Sequence, residues 1–266
     1  MGKVLYFDCS AGISGDMTLG ALVHLGADFE ALKAELKKLK IAGYDIVKKK
    51  DAMSGIQGLN LDVLIFGEGD DGCDHVHASG GHDDRGTDHI HAAEHAHGSF
   101  REIRELIETS SLNAGVKKTA VDIFTVIAEA EAAVHDMPLE DVVFHEVGAL
   151  DSIIDIVGAA ICIDMLAPEE IMCSAVHDGH GSIECRHGII PAPVPAVLEM
   201  LKGSEIRIVG EDVGTEMVTP TGLGILKGLK AKCALLPEMN VTGVGYGFGK
   251  RDTGRFRALR VIMGTR

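Results

Sequence analysis

Between residues 67 and 98 the chain loses the composition of folded protein. Positions 68–98 hold eight acidic residues, seven histidines, six glycines and one arginine, with hardly any large apolar side chains. Burial of such a stretch cannot offset the entropy of ordering it, so it is expected to be a disordered, His-rich insertion. This divides the 266 residues into an N-terminal α/β unit (1–67), the flexible insertion (68–98) and a main region (99–266). Whole-chain charge follows the same division. The formal net charge is −15, and the insertion supplies −7 of it. An acidic chain is a poor nonspecific ligand for nucleic acid or an anionic membrane face and a good one for cations.

Periodicity in the flanks predicts simple elements. A buried strand at 3–8 leads through Cys9-Ser-Ala-Gly-Ile-Ser-Gly15 into a helix at 16–25. A second helix covers 29–39 and is expected to stop at Gly43, followed by strands at 44–49 and 59–66. Ser99-Phe-Arg-Glu102 has the form of a capping box opening a helix to about residue 108. A longer helix is expected over 114–135, ended by Pro138, and a nearly all-apolar one over 148–166, at the centre of the fold. Shorter pieces follow: a strand at 171–176, a glycine-rich hairpin at 179–190, a helix entered through Pro195 and a strand at 205–209. A helix opened by Thr219-Pro-Thr-Gly222 and strands at 240–246 and 256–263 complete the chain. Without regular βαβ alternation the fold class is α+β or irregular α/β, with mixed sheets and packed helices. The start of the chain lacks the pattern of a signal peptide, and no apolar run is long enough to span a bilayer. The six cysteines form no CxxC pair, so a reducing cytoplasm is the expected compartment.

Several residues have the chemistry of a site. His75, His77, His82, His89, His91, His95 and His97, interleaved with carboxylates, can ligate nickel, zinc or copper, although a polar linker with incidental affinity has the same composition. In His145-Glu-Val-Gly-Ala-Leu-Asp151-Ser-Ile-Ile-Asp155, Asp151 and Asp155 share one face of the apolar helix, with His145 and Glu146 just upstream. Two carboxylates there are costly unless they meet a cation, a metal or backbone donors. The alternative is that Asp151 serves the helix N-terminus and Asp155 pairs with a core base. Asp8 and the turn Ser10-Ala-Gly-Ile-Ser14-Gly15-Asp16 form a strand–loop–helix passage suited to a phosphate, with Asp8 and Asp16 able to take a metal or a ribose hydroxyl, or else a tight structural turn. His187 stands before a proline-stiffened arm, and Thr219 and Thr221 offer hydroxyls at a helix N-terminus, as anion ligands or as ordinary caps. The glycines at 243, 245, 247 and 249 lack the strand–turn–helix context of a dinucleotide fingerprint, but Lys250 and Arg251 beside them can meet a phosphate. Cys9, Cys173 and Cys185 read as buried structural thiols.

Taken together, these motifs resemble the LarC family of nickel insertion proteins. The resemblance rests on Asp8 with Ser10-Ala-Gly-Ile-Ser-Gly-Asp16, the His-rich insertion, the 145–155 motif, His187-Gly-Ile-Ile-Pro-Ala-Pro-Val-Pro-Ala196, Val218-Thr-Pro-Thr-Gly222 and Gly245-Tyr-Gly-Phe-Gly249. It implies nickel insertion into pyridinium-3,5-bisthiocarboxylic acid mononucleotide, giving the nickel-pincer cofactor of lactate racemase-type enzymes, with CTP and Mn²⁺ or Mg²⁺ as cofactors. On that reading the His tract gathers Ni²⁺. His145, Glu146, Asp151 and Asp155 form the metal or proton-transfer centre, with Asp8 a further candidate ligand. The turns at 10–16 and 219–222, with His187, Lys250 and Arg251, hold the nucleotide. The chain departs from the family pattern at Val143, in place of a histidine, and at Phe256-Arg257. Family members also run on into a C-terminal region tied to the nucleotide requirement, which leaves open a separate C-terminal partner chain, a shortened sequence or a paralogue of changed activity, and a homo-oligomer is compatible with the pattern. The rival readings are a non-catalytic nickel store and a nucleotide-dependent, metal-assisted hydrolase or transferase.

Overall fold

A computed structural model describes residues 2–66, 98–144, 150–185, 188–251 and 254–266. The elements in chain order are β1 (Lys3–Asp8), α1 (Gly15–Leu25), α2 (Phe29–Leu36), β2 (Tyr44–Met53), β3 (Ile56–Ile65), α3 (Phe100–Thr109), α4 (Ala114–His135), α5 (Leu150–Leu166), β4 (Glu170–Cys173) and β5 (Val176–Asp178). They continue with β6 (Ser182–Cys185), β7 (Gly188–Pro191), α6 (Pro195–Leu201), β8 (Ile208–Gly210), α7 (Pro220–Gly228), β9 (Lys232–Cys233), β10 (Asn240–Phe248) and β11 (Ala258–Thr265).

The main sheet is mixed and has seven strands, in the order β2-β3-β10-β11-β1-β4-β9. It combines strands from before residue 66 with strands from beyond residue 170. β1 is central, antiparallel to β11 and parallel to β4. Its side chains alternate between two faces, as a pleated strand requires: Leu5 and Phe7 enter the main core, while Val4 and Tyr6 join Met172 and Ile262 in a smaller cluster opposite. Small parallel (β5–β8) and antiparallel (β6–β7) pairs lie outside the main sheet.

Helix α1 packs on β10, β3 and β11, α5 packs on α1, and α4 packs on α5 and α7. The glycines of β10 explain how α1 comes so close. A Cβ at Gly245 would run into the Ala21 carbonyl of α1, and one at Gly247 into that of Met17. The glycine run therefore seats a helix on a sheet, and it leads into β11 rather than into a helix. Eleven residues of α5 are buried, in keeping with an apolar helix at the centre of the fold.

Expected and observed elements differ where tertiary contacts intervene. The 29–39 helix is α-helical only to Leu36 and closes in a 3₁₀ turn (Lys37–Leu39), and it ends at Lys40 in the left-handed conformation (φ 58°) rather than at Gly43. The 44–49 and 59–66 strands extend into one long hairpin, each strand gaining rungs toward the turn. The 171–176 strand breaks at Ser174, whose hydroxyl accepts from the Cys9 N–H (2.9 Å) and whose N–H donates to the Phe7 carbonyl (2.9 Å), so the chain leaves the main sheet there. The 205–209 strand begins only at Ile208. The capping box at Ser99 forms as read. Among the described residues, no helix is long and apolar enough to cross a membrane, and Cys9, Cys162, Cys173 and Cys233 are unbridged. The His-rich stretch 68–97 lies outside the described residues.

Candidate functional site

A cavity of about 370 Å³ opens where the N-termini of α1 and α7 meet the first turns of α5 and the end of β10. Two Ser/Thr caps start the helices at its floor. The Ser14 hydroxyl accepts from the Met17 N–H and the Thr219 hydroxyl from the Gly222 N–H. Main-chain bonds lace the two turns together: Ile13 N–H donates to the Met217 carbonyl (2.8 Å) and Thr219 N–H to the Ile13 carbonyl (3.0 Å). Gly15 is required for this closeness, since a Cβ there would press on the Asp155 carboxylate and the Thr221 methyl. Both helix N-termini, with their inward-facing N–H groups and positive dipole ends, face the cavity.

Charge of both signs lines it. Asp16, Asp151, Asp155, Glu184 and Glu216 are on the wall with Lys250, Arg251 and Arg257, so carboxylates outnumber cations. Burial pushes the Asp155 carboxyl well above the usual carboxylate range, and the like charges of Asp16 and Asp151 push it further, with Lys250 opposing. For Lys250, burial disfavours the charge, but the Asp62 carboxylate 3.1 Å away, with Asp16 and Asp155, holds the ammonium above its usual value. Arg251 is ion-paired with Glu216, a side chain in a residue only 4% exposed.

The Glu216 segment is set by a fully buried carboxylate outside the cavity. Asp178 Oδ1 accepts from the N–H groups of Gly179 (2.8 Å), Met217 (2.6 Å) and Val218 (3.1 Å). Burial raises its carboxyl, and the three backbone bonds pull it back.

Of the residues singled out by sequence, the cavity unites Ser14, Gly15, Asp16, Asp151, Asp155, Thr219, Thr221, Lys250 and Arg251. Ser10 and Asp8 are not on its wall. Asp8 Oδ2 accepts from Arg260 Nε (3.0 Å) and Nη2, and Asp8 Oδ1 accepts from the Ser10 N–H (3.2 Å). Burial opposes ionisation of Asp8, but Arg260 and Ser10 hold its carboxyl below the usual range. His145, Glu146, His187 and the seven tract histidines lie outside the described residues. Glu216 and Arg257 are cavity residues that sequence reasoning missed. Glu216 had one signal, an acid placed three residues before a helix cap in an apolar run; Arg257 had none. Among the described residues, no three His, Cys, Asp or Glu side chains are grouped to hold a metal ion. Here the wall offers separate carboxylates rather than a closed metal cage.

Comparison with known proteins bears on this chemistry. Residues 5–266 match the model of a family described as nickel insertion protein. The chain is 49% identical over 262 residues to a pyridinium-3,5-bisthiocarboxylic acid mononucleotide nickel insertion protein of Acetivibrio thermocellus, covering 98% of this chain and 60% of that one. Proteins of the same name are 50% identical over 267 residues in Lactiplantibacillus plantarum (98% and 61% covered) and 41% identical over 263 residues in Geobacillus kaustophilus (98% and 60% covered). The chain thus spans about three fifths of the length of the curated relatives it matches. No solved structure matches it.

Proposed function

The chain belongs to the nickel insertion protein family, and from that premise we propose that it inserts Ni²⁺ into pyridinium-3,5-bisthiocarboxylic acid mononucleotide. The observation that carries the reading is the two-signed cavity: Asp16, Asp151, Asp155, Glu184 and Glu216 line it together with Lys250, Arg251 and Arg257 and two helix N-termini. Such a site accepts a divalent cation and a phosphate monoester together, and its volume is within the usual range of small-molecule pockets, roughly 300–1,000 Å³.

Ser14, Gly15, Asp16, Thr219 and Thr221 line the phosphate end through their helix N-termini, with Lys250 and Arg251 supplying charge. Asp151 and Asp155 face the arriving nickel. Oxygen donors that do not form a closed cage suit a metal that must be released into a product. When nickel replaces hydrogen on the pyridinium carbon, one proton leaves as the carbon–nickel bond forms. Asp155, whose carboxyl is raised by burial and by the neighbouring Asp16 and Asp151, is the wall group proposed to accept it. His145, Glu146 and the tract histidines complete the proposal as the groups that gather nickel and pass it to Asp151, with His187 on the nucleotide side. Asp8 and Ser10 take no part in it, because the Asp8 carboxylate is bound to Arg260.

CTP with its Mn²⁺ or Mg²⁺ fits poorly on the described wall, where carboxylates outnumber cations and would repel a triphosphate. We assign it to the part of the relatives that lies outside the matched stretch. The test is mass spectrometry of the bisthiocarboxylic mononucleotide after incubation with the protein and Ni²⁺, with and without CTP and the C-terminal portion of a relative. The nickelated mass is expected. Its absence under all of these conditions, with nickel still bound to the protein, would point to a storage protein instead.

A further inference from the structure

Lys250 is tied to an acid that the proposed reaction does not use. Asp62 stands on β3 between Leu61 and Val63, and those two residues line the cavity while Asp62 does not. The pleat of the strand turns its side chain to the other face. β3 and β10 run parallel, with Gly247 opposite Leu59, and this register brings Lys250 alongside Asp62 three residues further on. Asp62 Oδ1 meets the Lys250 ammonium at 3.1 Å, and its Oδ2 has Lys49 at 3.8 Å. The Asp62 side chain is only 19% exposed and that of Lys49 is 70% exposed, so Lys49, more distant and largely in water, competes weakly for it. Lys250 is itself on the cavity wall, where Asp16 and Asp155 also favour its charge. One ammonium is therefore shared between a carboxylate behind the wall and two carboxylates on it. A lysine ammonium is a point charge on a flexible stem. Without Asp62 it would turn fully to Asp16 and Asp155 and neutralise the carboxylates that an incoming cation must use.

Building on the functional reading above, we infer that Asp62 is a positioning residue for the cation end of the cavity: it holds the Lys250 ammonium back from Asp16 and Asp155, so that these carboxylates stay open to a divalent metal ion. Lys250 balances the acidic wall and competes with the metal for it. Asp62 sets how strongly it competes.

The test is Mn²⁺ affinity, read by electron paramagnetic resonance as loss of the free-ion signal. Mn²⁺ is the probe because carboxylate oxygens suit it, whereas imidazole suits nickel. The proteins are the full chain, Asp62→Asn, Asp62→Glu, Lys250→Met and the double variant Asp62→Asn/Lys250→Met. Binding elsewhere on the chain is common to all five and drops out of the comparison. Asp62→Asn is expected to bind roughly 3- to 10-fold more weakly than wild type, and Lys250→Met to bind more tightly by a similar factor. The double variant should lie within about two-fold of Lys250→Met, because the ammonium that Asp62 restrains is gone. Asp62→Glu, which keeps the charge on a longer arm, should return to within about two-fold of wild type. An unchanged affinity in Asp62→Asn overturns the inference. So does a loss of the same size with Lys250 already removed, which would show Asp62 acting by its own charge or through the fold. Weaker binding in Lys250→Met, or an Asp62→Glu as weak as Asp62→Asn, overturns it as well. A wild type that shows this coupling but inserts no nickel sinks the functional reading and leaves this one standing; nickel insertion without the coupling does the reverse.

Discussion

Asp8, at the end of β1, and Asp155, on α5, are the same residue in opposite electrostatic situations. Asp8 meets Arg260 across the β1–β11 pair, and its carboxyl is held down. Asp155 is crowded by Asp16 and Asp151, with Lys250 shared among several carboxylates, and its carboxyl is pushed up. The first arrangement stabilises the fold and has little left to offer a ligand. The second is destabilising until a cation arrives, which is what the proposed nickel-binding role would require of this wall. Local conflict of this kind marks function better than residue type does.

The contrast can be broken most forcefully at Asp155. Asp155→Asn keeps the shape and removes the charge, and it is expected to lower the rate of nickel transfer by about 10²-fold or more, while the urea midpoint rises or stays level. A variant that keeps wild-type transfer would remove Asp155 from the site. The converse substitution, Asp8→Ala, is expected to cost about 1–2 kcal/mol of stability, because a charged hydrogen-bond pair is lost. Nickel transfer per folded molecule should then stay within about two-fold of wild type; a collapse of transfer would mean that the ion pair also serves the site.

The smallest effect sharpens the contrast through pH. Below the ordinary carboxylate value of about 3.9, Asp155 is protonated in folded and unfolded chains alike, so Asp155→Asn gains nothing there. As pH rises from that value through the raised folded one, wild type loses stability that the variant keeps, and the gap between their urea midpoints widens. Asp8 has the opposite sign. Its contribution is present above the ordinary value and disappears as pH falls through the lowered folded one, so the deficit of Asp8→Asn shrinks on acidification. Gaps that stay constant across pH would contradict both assignments.

Much of the architecture was legible from local pattern. The strand at 3–8, the helix at 114–135 and the capping box at Ser99 are set by alternation, periodicity and a reciprocal side-chain bond, each within a few residues. Asp16 and Asp155 were legible as candidates because charge on otherwise apolar or small-residue segments is visible in one dimension. The purpose of the β10 glycines was not, since it depends on α1, more than 200 residues earlier. Glu216 and Arg257 were missed for the same reason: nothing near them in the chain shows that they share a cavity with Asp151.

By itself, then, the sequence determined the element types, the caps, the apolar central helix and the pool of acids, histidines and bases, because these depend on neighbours within a turn or a strand. Only the tertiary structure decided which of those charges were matched and which were left in conflict. Arg260 reaches Asp8 across 252 positions of chain, and α1, α5, α7 and the end of β10 meet only when the core packs. Charge pairing over such separations follows from packing, and packing is a property of the whole fold.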